Sequence, residues 1–296
     1  MGNLRQKATA LWNQHALAHV STYIFIFLLL AVNLVVFHLL PEPLKVGFRL
    51  DDPSLSHRIN SVDNVPVGII YIFVGVLPVT VVLVTCLAVH LFGKGAAAAA
   101  ESTHLSNHVQ IYLQATVMAI MYTNLVNMPL KLLGRLRPDW LQRCFVEFPH
   151  IPTANSTLLA ALNENYECTN PDKSVVLRGR TSFPSGHSSI AFSGIIVFVL
   201  WIQIQLPLLL SRIDYTPSWY LRVNCGGARI LLVMLPLSFG CYTAASRVIL
   251  NQHHVSDVLA GAALGIAIGS YLYFASFPPL ERPPPSRCAD IDHGSV

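Results

Sequence analysis

Six long stretches of the chain contain no Asp, Glu, Lys or Arg, and they constrain the fold more than any other feature. They cover residues 8–41, 64–93, 102–130, 181–211, 230–246 and 258–280. A bilayer core of about 30 Å takes about 20 apolar helical residues per crossing. Their apolar cores predict helices at 20–40, 66–92, 109–131, 187–209, 227–246 and 257–278. The predicted fold class is an all-α polytopic membrane protein with six transmembrane helices, and the even count puts both termini on one side.

The composition agrees with a membrane protein and excludes several other classes. Hydrophobic residues make up 53% of the 296 residues and charged residues only 11%, whereas a soluble domain carries about 25% charged residues. The net charge of +4 arises without a dense basic run, so no nucleic-acid partner is expected. Six cysteines without a CxxC pair indicate neither a disulfide scaffold nor a zinc site.

The connections between the predicted helices are unequal in length. Residues 1–19 form a predicted cytosolic tail, and the first helix is interpreted as a retained signal anchor. Residues 20–278 form the six-helix membrane domain, and 279–296 a proline-rich cytosolic tail. Within the domain, 134–184 is a polar loop of about 50 residues, a length that usually indicates a functional or independently ordered segment.

Three polar motifs flank the predicted helices. The third helix ends at Lys131 and is followed by Arg137-Pro138, and the fourth begins at Pro184-Ser185-Gly186-His187. The junction of helices five and six contains Ser246-Arg247, His253 and Asp257. Alternating topology places all three motifs on the same membrane side. In a chain so poor in charge, this clustering predicts an active site at one membrane interface.

These residue types suit phosphoryl transfer. Backbone N–H groups at Ser185, Gly186 and His187, at a helix N-terminus, form an expected cradle for an anion. Gly186 permits close approach of the backbone, and Ser185 adds a hydroxyl donor. Arg137 and Arg247 present forked donors that match phosphate oxygens.

The histidines supply the expected chemistry. His253 and Asp257 are four residues apart, which on a helix places them on one face. The carboxylate would then orient the imidazole and make His253 a nucleophile. His187, on another helix, would protonate the leaving oxygen. No cluster of carboxylates remains to hold Mg²⁺, so we expect no metal and no cofactor.

The ordered set of three motifs resembles the signatures of the type 2 phosphatidic acid phosphatase, or lipid phosphate phosphatase, family. This resemblance implies a phosphohistidine intermediate on His253, with Asp257 as its partner and His187 as the acid. It also implies phosphate binding by these residues: Arg137, Ser185, Gly186, Arg247 and Lys131. Lys131 stands one residue later than the family's spacing, and Arg135 is the alternative cation at that position.

Two features of the long loop indicate its side of the membrane. Asn155-Ser156-Thr157 matches a glycosylation sequon, and Cys144 and Cys168 are candidates for a disulfide. Both features suit an oxidising, glycosylating compartment. The active site is therefore predicted to face the lumen or the exterior, in the endoplasmic reticulum, the Golgi or the plasma membrane.

The leading interpretation is a metal-independent phosphatase that acts on phosphatidate and related lipid phosphates within the bilayer. Three enzymatic alternatives use the same residues: a diacylglycerol or polyprenyl pyrophosphate phosphatase, a glucose-6-phosphatase-like enzyme and a sphingolipid head-group transferase. The non-enzymatic alternative is a relative that has lost the chemistry, although His187, His253 and Asp257 are all present. A channel is disfavoured because the charge lies at one interface. A homo-oligomer is compatible with the sequence.

Overall fold

The computed structural model describes residues 2–60, 63–92, 97–145, 166–210 and 227–277. The chain divides into two units, Met1–Leu40 and Pro41–Val296. The first unit consists of helix α1, Gly2–Leu39. Within α1, the Asn33 side-chain amide donates to Leu29 O at 2.8 Å, so this polar group is satisfied by its own helix.

Among the described residues of the second unit, all regular elements are helical. The α-helices are α2 Val67–Tyr71, α3 Leu77–Phe92, α4 Ala97–Leu130, α5 Trp140–Cys144, α6 Lys173–Gly179, α7 Gly186–Leu210, α8 Gly227–Ile249 and α9 Val255–Ser276. A π-helical turn, Ile72–Val76, joins α2 to α3. Short 3-10 turns occupy Pro53–Leu55 and Lys131–Leu133.

Six helical segments are long and apolar enough to cross a membrane. They are Val20–Leu39, Val67–Phe92, Asn107–Leu133, Gly186–Leu210, Arg229–Ile249 and Val255–Ser276. The predicted six-helix polytopic class is confirmed, and each predicted helix corresponds to one of these segments. The first and third predicted helices began too late, because α1 begins at Gly2 and α4 extends back through the alanine run to Ala97.

The second of these segments is continuous but not uniform. Pro78 is the second residue of α3 and has no backbone N–H, so it cannot bond to the turn before it. The chain widens into the π-helical turn Ile72–Val76 immediately before this proline. Such wide turns re-satisfy backbone groups within a helix. The helix therefore passes a proline without breaking.

Helix α7 is the centre of the second unit. It packs against α3, α4, α8 and α9, and a larger share of it is buried than of any other spanning segment. Its buried side chains, including Trp201, belong to the main apolar core. Tyr112 of α4 belongs to the same core, and both Tyr112 and Trp201 are fully buried. The N-terminus of α7 carries the second predicted motif, so the most buried spanning helix supports it.

A second apolar cluster lies among the connections that flank the motifs. Its buried members are Phe48, Leu55, Leu136, Trp140, Leu141, Cys144 and Tyr166. Cys144 and Cys168 form a disulfide, the pair expected from the long loop. The Arg180 guanidinium lies over the rings of Trp140 and Tyr166, 5.5 and 5.7 Å from their centroids. The described parts of the 134–184 loop are therefore ordered around their own core.

Candidate active site

A stripe of small residues brings the second and third motifs together. On α9, Gly261, Gly265 and Gly269 recur at every fourth position and face the backbone of α7. A Cβ added at Gly261 would lie 2.5 Å from Ser185 O, and one at Gly265 would lie 2.3 Å from Ser189 O. At these distances a side chain larger than hydrogen would force the two backbones apart. As in other membrane helix pairs, small residues permit close approach, and here they set Asp257 against Ser185.

His253 lies in the turn before α9, and only 4% of its surface is exposed. Its Nδ1 is 2.6 Å from Ser182 O. Because a carbonyl oxygen can only accept, Nδ1 carries the hydrogen and Nε2 keeps its lone pair. Burial lowers the pKa of His253 well below its ordinary value of 6.5, and the charge of Arg137 lowers it further. The imidazole is therefore neutral, and its basic lone pair is on Nε2.

Asp257 does not hold His253 as the helical spacing predicts. Helix α9 begins only at Val255, so His253 precedes the helix and the four-residue rule does not apply to the pair. Asp257 Oδ2 instead accepts from Ser182 Oγ at 2.6 Å and from the His254 N–H at 3.0 Å. The expected direct contact was wrong; Ser182 joins the two residues, since its carbonyl meets the imidazole and its hydroxyl meets the carboxylate.

Arg135 completes the surroundings of Asp257. Its Nη1 lies 2.7 Å from Asp257 Oδ1, and the carboxylate is fully buried. The sequence offered Arg135 as an alternative phosphate ligand, whereas the structure pairs it with this carboxylate. The backbone carbonyl of Arg135 also accepts from the Ser182 N–H at 3.0 Å. Arg135 therefore ties the first motif to the segment that orients His253.

The anion cradle at the start of α7 is smaller than the sequence predicted. The Ser185 N–H donates to Asp257 O at 3.0 Å, so it is not available to a ligand. The buried Ser185 hydroxyl accepts from the Ser188 N–H at 3.5 Å and lies 3.2 Å from Ser188 Oγ. Ser185 is therefore a helix cap. Gly186 and His187 supply the first helical amides, which have no preceding turn to bond to.

Lys131 reaches this cradle in spite of its shifted position in the sequence. A Cβ added at Gly186 would lie 3.7 Å from Lys131 Nζ. The α-helix ends at Leu130, and Lys131 opens a 3-10 turn that closes at Gly134, where φ is 71°. An offset of one residue turns a side chain by about 100° only when the residue lies within an α-helix, and Lys131 lies in a 3-10 turn. The ammonium therefore lies beside the first residue of α7.

Arg137 lies on an extended segment between α4 and α5. Its backbone N–H donates to Gly179 O at 2.9 Å, and its Nε is buried without a hydrogen-bond partner among the described residues. Loss of water around the guanidinium lowers the pKa of Arg137 to about 10, and the charge of Arg143 adds to this effect. Arg137 remains charged at neutral pH and has donors to offer to an anion.

Arg247 is fully buried at the end of α8 and is held on three sides. Its Nε donates to Ser246 Oγ at 3.1 Å, and Nη1 donates to Gln252 Oε1 at 3.0 Å. Its Nη2 donates to Asp63 Oδ1 at 2.6 Å. The other oxygen of Asp63 lies 4.0 Å from His187 Nε2. Asp63 therefore stands between two of the predicted site residues.

Sequence reasoning missed Asp63, Ser182 and the role of Arg135. Asp63 belongs to no motif, and its only signal is topological: residues 41–65 connect the first two spans on the side where the motifs lie. His254, interpreted as a structural residue, caps α9, and its Nε2 lies 3.1 Å from Leu136 O. The sequon at Asn155 lies outside the described residues.

The described geometry defines a class of protein first. It is a multi-pass helical membrane protein in which two imidazoles, four cationic side chains and the N-terminus of a central helix meet at one end of the bundle. The chain belongs to the PAP2 superfamily, whose family model matches residues 110–278. That match covers all three motifs and confirms the family resemblance seen in the sequence.

Relatives extend the comparison over most of the chain. A Schizosaccharomyces pombe protein named "Probable diacylglycerol pyrophosphate phosphatase 1" is 28% identical over 87% of this chain and 81% of its own. The Saccharomyces cerevisiae diacylglycerol pyrophosphate phosphatase 1 is 26% identical over 83% and 76%. A Drosophila melanogaster protein whose name includes phosphatidate phosphatase is 27% identical over 86% and 67%. No solved structure matches the chain.

Proposed function

We propose that this protein hydrolyses the phosphomonoester of phosphatidate, releasing diacylglycerol and phosphate through a phosphohistidine on His253. The observation that carries the proposal is the imidazole of His253. Its Nδ1 hydrogen is committed to Ser182 O at 2.6 Å, so the lone pair of Nε2 is available. A neutral imidazole beside cationic side chains is suited to attack on a phosphoryl group, whose charge those cations stabilise.

The reaction has two steps. His253 Nε2 attacks phosphorus, the P–N bond forms, and the bond from phosphorus to the glycerol oxygen breaks. That oxygen takes its proton from His187, the acid in this proposal. Water then attacks the phosphohistidine and gives its proton to His187, which releases phosphate and restores both imidazoles. Lys131, Arg137, Arg247 and the amide of Gly186 bind the phosphate oxygens, and Ser185 acts through the position of the helix that it caps.

The second candidate substrate is diacylglycerol pyrophosphate. Two relatives that match more than four fifths of this chain carry that activity in their names. The same in-line attack on a terminal phosphoryl group would then release phosphatidate instead of diacylglycerol. The two candidates share every residue of the proposed mechanism and differ only in the leaving group, so substrate competition separates them.

We also propose that the site faces the lumen or the exterior, with both termini cytosolic. The disulfide between Cys144 and Cys168 lies beside the site, and disulfides persist in oxidising compartments. Glycosylation at Asn155 would place the loop on the same side. Treatment with an endoglycosidase tests this: wild type should shift in mobility and Asn155→Gln should not. If the wild type shows no shift in mobility, the sequon no longer supports a lumenal or exterior site.

The decisive experiment measures phosphate release from phosphatidate and from diacylglycerol pyrophosphate in detergent micelles with excess EDTA. We expect activity in the wild type, none in His253→Ala, and unchanged activity in His57→Ala, which removes an exposed histidine of the same unit. When a reaction with ³²P-labelled substrate is quenched, a labelled phosphoenzyme that is labile in acid and stable in base should be trapped. His253→Ala should lack this phosphoenzyme. Equal background rates from wild type and His253→Ala on both lipids would refute the proposed function and favour a relative without catalytic activity.

A further inference from the structure

Asp63 occupies the side of Arg247 that faces His187. Its Oδ1 accepts from Arg247 Nη2 at 2.6 Å, and its Oδ2 lies 4.0 Å from His187 Nε2. A phosphate that contacts both of these groups would place its oxygens where the two carboxylate oxygens now lie. The carboxylate therefore stands in the position that a bound anion would take.

Three of the five N–H donors of Arg247 are engaged by Ser246, Gln252 and Asp63. Nε is engaged by Ser246, and Nη1 is engaged by Gln252, the residue that leads into the turn of His253. These two bonds fix the guanidinium, whose side chain is fully buried. The Nη2 edge held by Asp63 is the part of Arg247 that points toward His187.

Asp63 itself is held lightly. It belongs to the connection before α2, and 40% of its side chain is exposed. Apart from the Arg247 bond, its described hydrogen bond is with the Val65 N–H at 3.2 Å, a local turn contact. A rotation of this side chain would return the carboxylate to water and uncover the Nη2 edge of Arg247. Exchange between Asp63 and an incoming anion is therefore sterically simple.

We propose that Asp63 is a specificity-determining residue that admits a phosphomonoester dianion to Arg247 and excludes phosphodiester monoanions. The inference rests on the proposed function, since it concerns the phosphate site of that reaction. Most phospholipids of a membrane are diesters with one negative phosphate charge, equal to the charge of the carboxylate. A diester gains no net charge attraction by displacing Asp63, whereas a dianionic monoester brings one additional negative charge to the same cations.

The test compares inhibition by two lipids in mixed micelles. One is phosphatidylglycerol, a diester; the other is a non-hydrolysable phosphonate analogue of phosphatidate, a dianion. The ratio of their inhibition constants measures the discrimination. In Asp63→Asn, the amide oxygen can still accept from Arg247, but the negative charge is gone. The diester then competes for Arg247 with a neutral group instead of a carboxylate. We therefore expect phosphatidylglycerol to inhibit about tenfold more tightly. Inhibition by the phosphonate should change less, and the ratio should fall.

Three further variants complete the test. Asp51→Asn removes the same charge from the same connection, where Asp51 pairs with the exposed Arg49, and should keep the wild-type ratio. Asp63→Glu restores the charge and should restore the ratio, and Asp63→Ala should behave as Asp63→Asn does. An unchanged ratio in Asp63→Asn, or an equal change in Asp51→Asn, would overturn the inference. Failure of both neutral variants to fold, judged by thermal unfolding, would also overturn it, because the carboxylate would then be structural.

The two proposals fail in different ways. If wild type releases phosphate only from diacylglycerol pyrophosphate, the phosphatidate assignment fails. The inhibition ratio can still be measured with that lipid as the reporter substrate. If wild type hydrolyses phosphatidate but the ratio does not depend on the charge of residue 63, the proposed function stands and the role of Asp63 is refuted.

Discussion

The contact between α7 and α9 predicts a large loss of activity from one methyl group. In Gly265→Ala, the new Cβ would lie 2.3 Å from Ser189 O and 2.8 Å from Ser193 N. Both atoms belong to the backbone of α7, so no side-chain rotation relieves the overlap. Ordinary contact begins at 3.4 Å, and the two helices must therefore move apart locally by about 1 Å.

The expected effect on stability is smaller than the effect on catalysis. Overpacking of this kind costs about 1–3 kcal/mol, but replacing glycine with alanine within a helix returns about 1 kcal/mol. The free energy of unfolding should therefore fall by no more than about 2 kcal/mol. In contrast, α7 carries His187 and α9 follows His253, and a misplacement of about 1 Å between reacting groups can lower the rate about 100-fold.

The assay is the initial rate of phosphate release from lipid micelles, measured with thermal unfolding of the same preparation. Gly68→Ala is the matched control, because a Cβ there meets no atom within 4 Å; it should keep full activity and equal or slightly higher stability. If Gly265→Ala retains the activity of Gly68→Ala, the close contact does not position the two histidines and the reasoning is refuted. A loss of folded protein matching the loss of activity would refute the claim that positioning dominates.

Two further predictions concern the link between the histidine and the carboxylate. Ser182→Ala removes the hydroxyl that donates a hydrogen bond to Asp257, which should cost about 1.5–3 kcal/mol of stability and affect kcat more than KM. Thr181→Ala, whose hydroxyl donates to Arg178 O, is the control, and equal effects of the two substitutions would contradict the assignment. Because the pKa of His253 is depressed, its folded form stays neutral as pH falls through 6.5 while the unfolded form gains a proton. Stability should therefore decline below about pH 6.5. In a pH profile of kcat/KM, the acid limb from protonation of His253 should lie well below pH 6.5. An acid limb at pH 6.5 would contradict the depressed pKa.

The six spans could be predicted because their signal is local. A run of about 20 uncharged, apolar residues has few alternatives to a membrane helix, and each of the six runs overlaps a helix long and apolar enough to cross a membrane. The placement of the three motifs at one end followed from helix count and alternation alone. Neither inference needed side-chain geometry, and both survive errors of a few residues at helix ends.

The details within the site depended on helix boundaries, which the sequence specifies less well. The pairing of His253 with Asp257 assumed a helix that in fact begins at Val255. The doubt over Lys131 assumed an α-helix that has already ended at Leu130. Asp63 lies about 180 residues from its partner Arg247, and no spacing rule connects them. An error of one residue at a helix boundary turns the expected side-chain direction by about 100°, so these contacts required the structure.

The balance of charge at the site argues for a dianionic ligand independently of any motif. Arg135 and Arg247 have carboxylate partners within 2.7 Å, Asp257 and Asp63. Lys131 and Arg137 have no such partner among the described residues, although a buried cation without an anion is costly. Two uncompensated positive charges beside the amides of Gly186 and His187 match the two negative charges of a phosphomonoester. A ligand that also displaces Asp63 gains Arg247 as a third cationic partner. This favours anions with more negative charge than a phosphodiester.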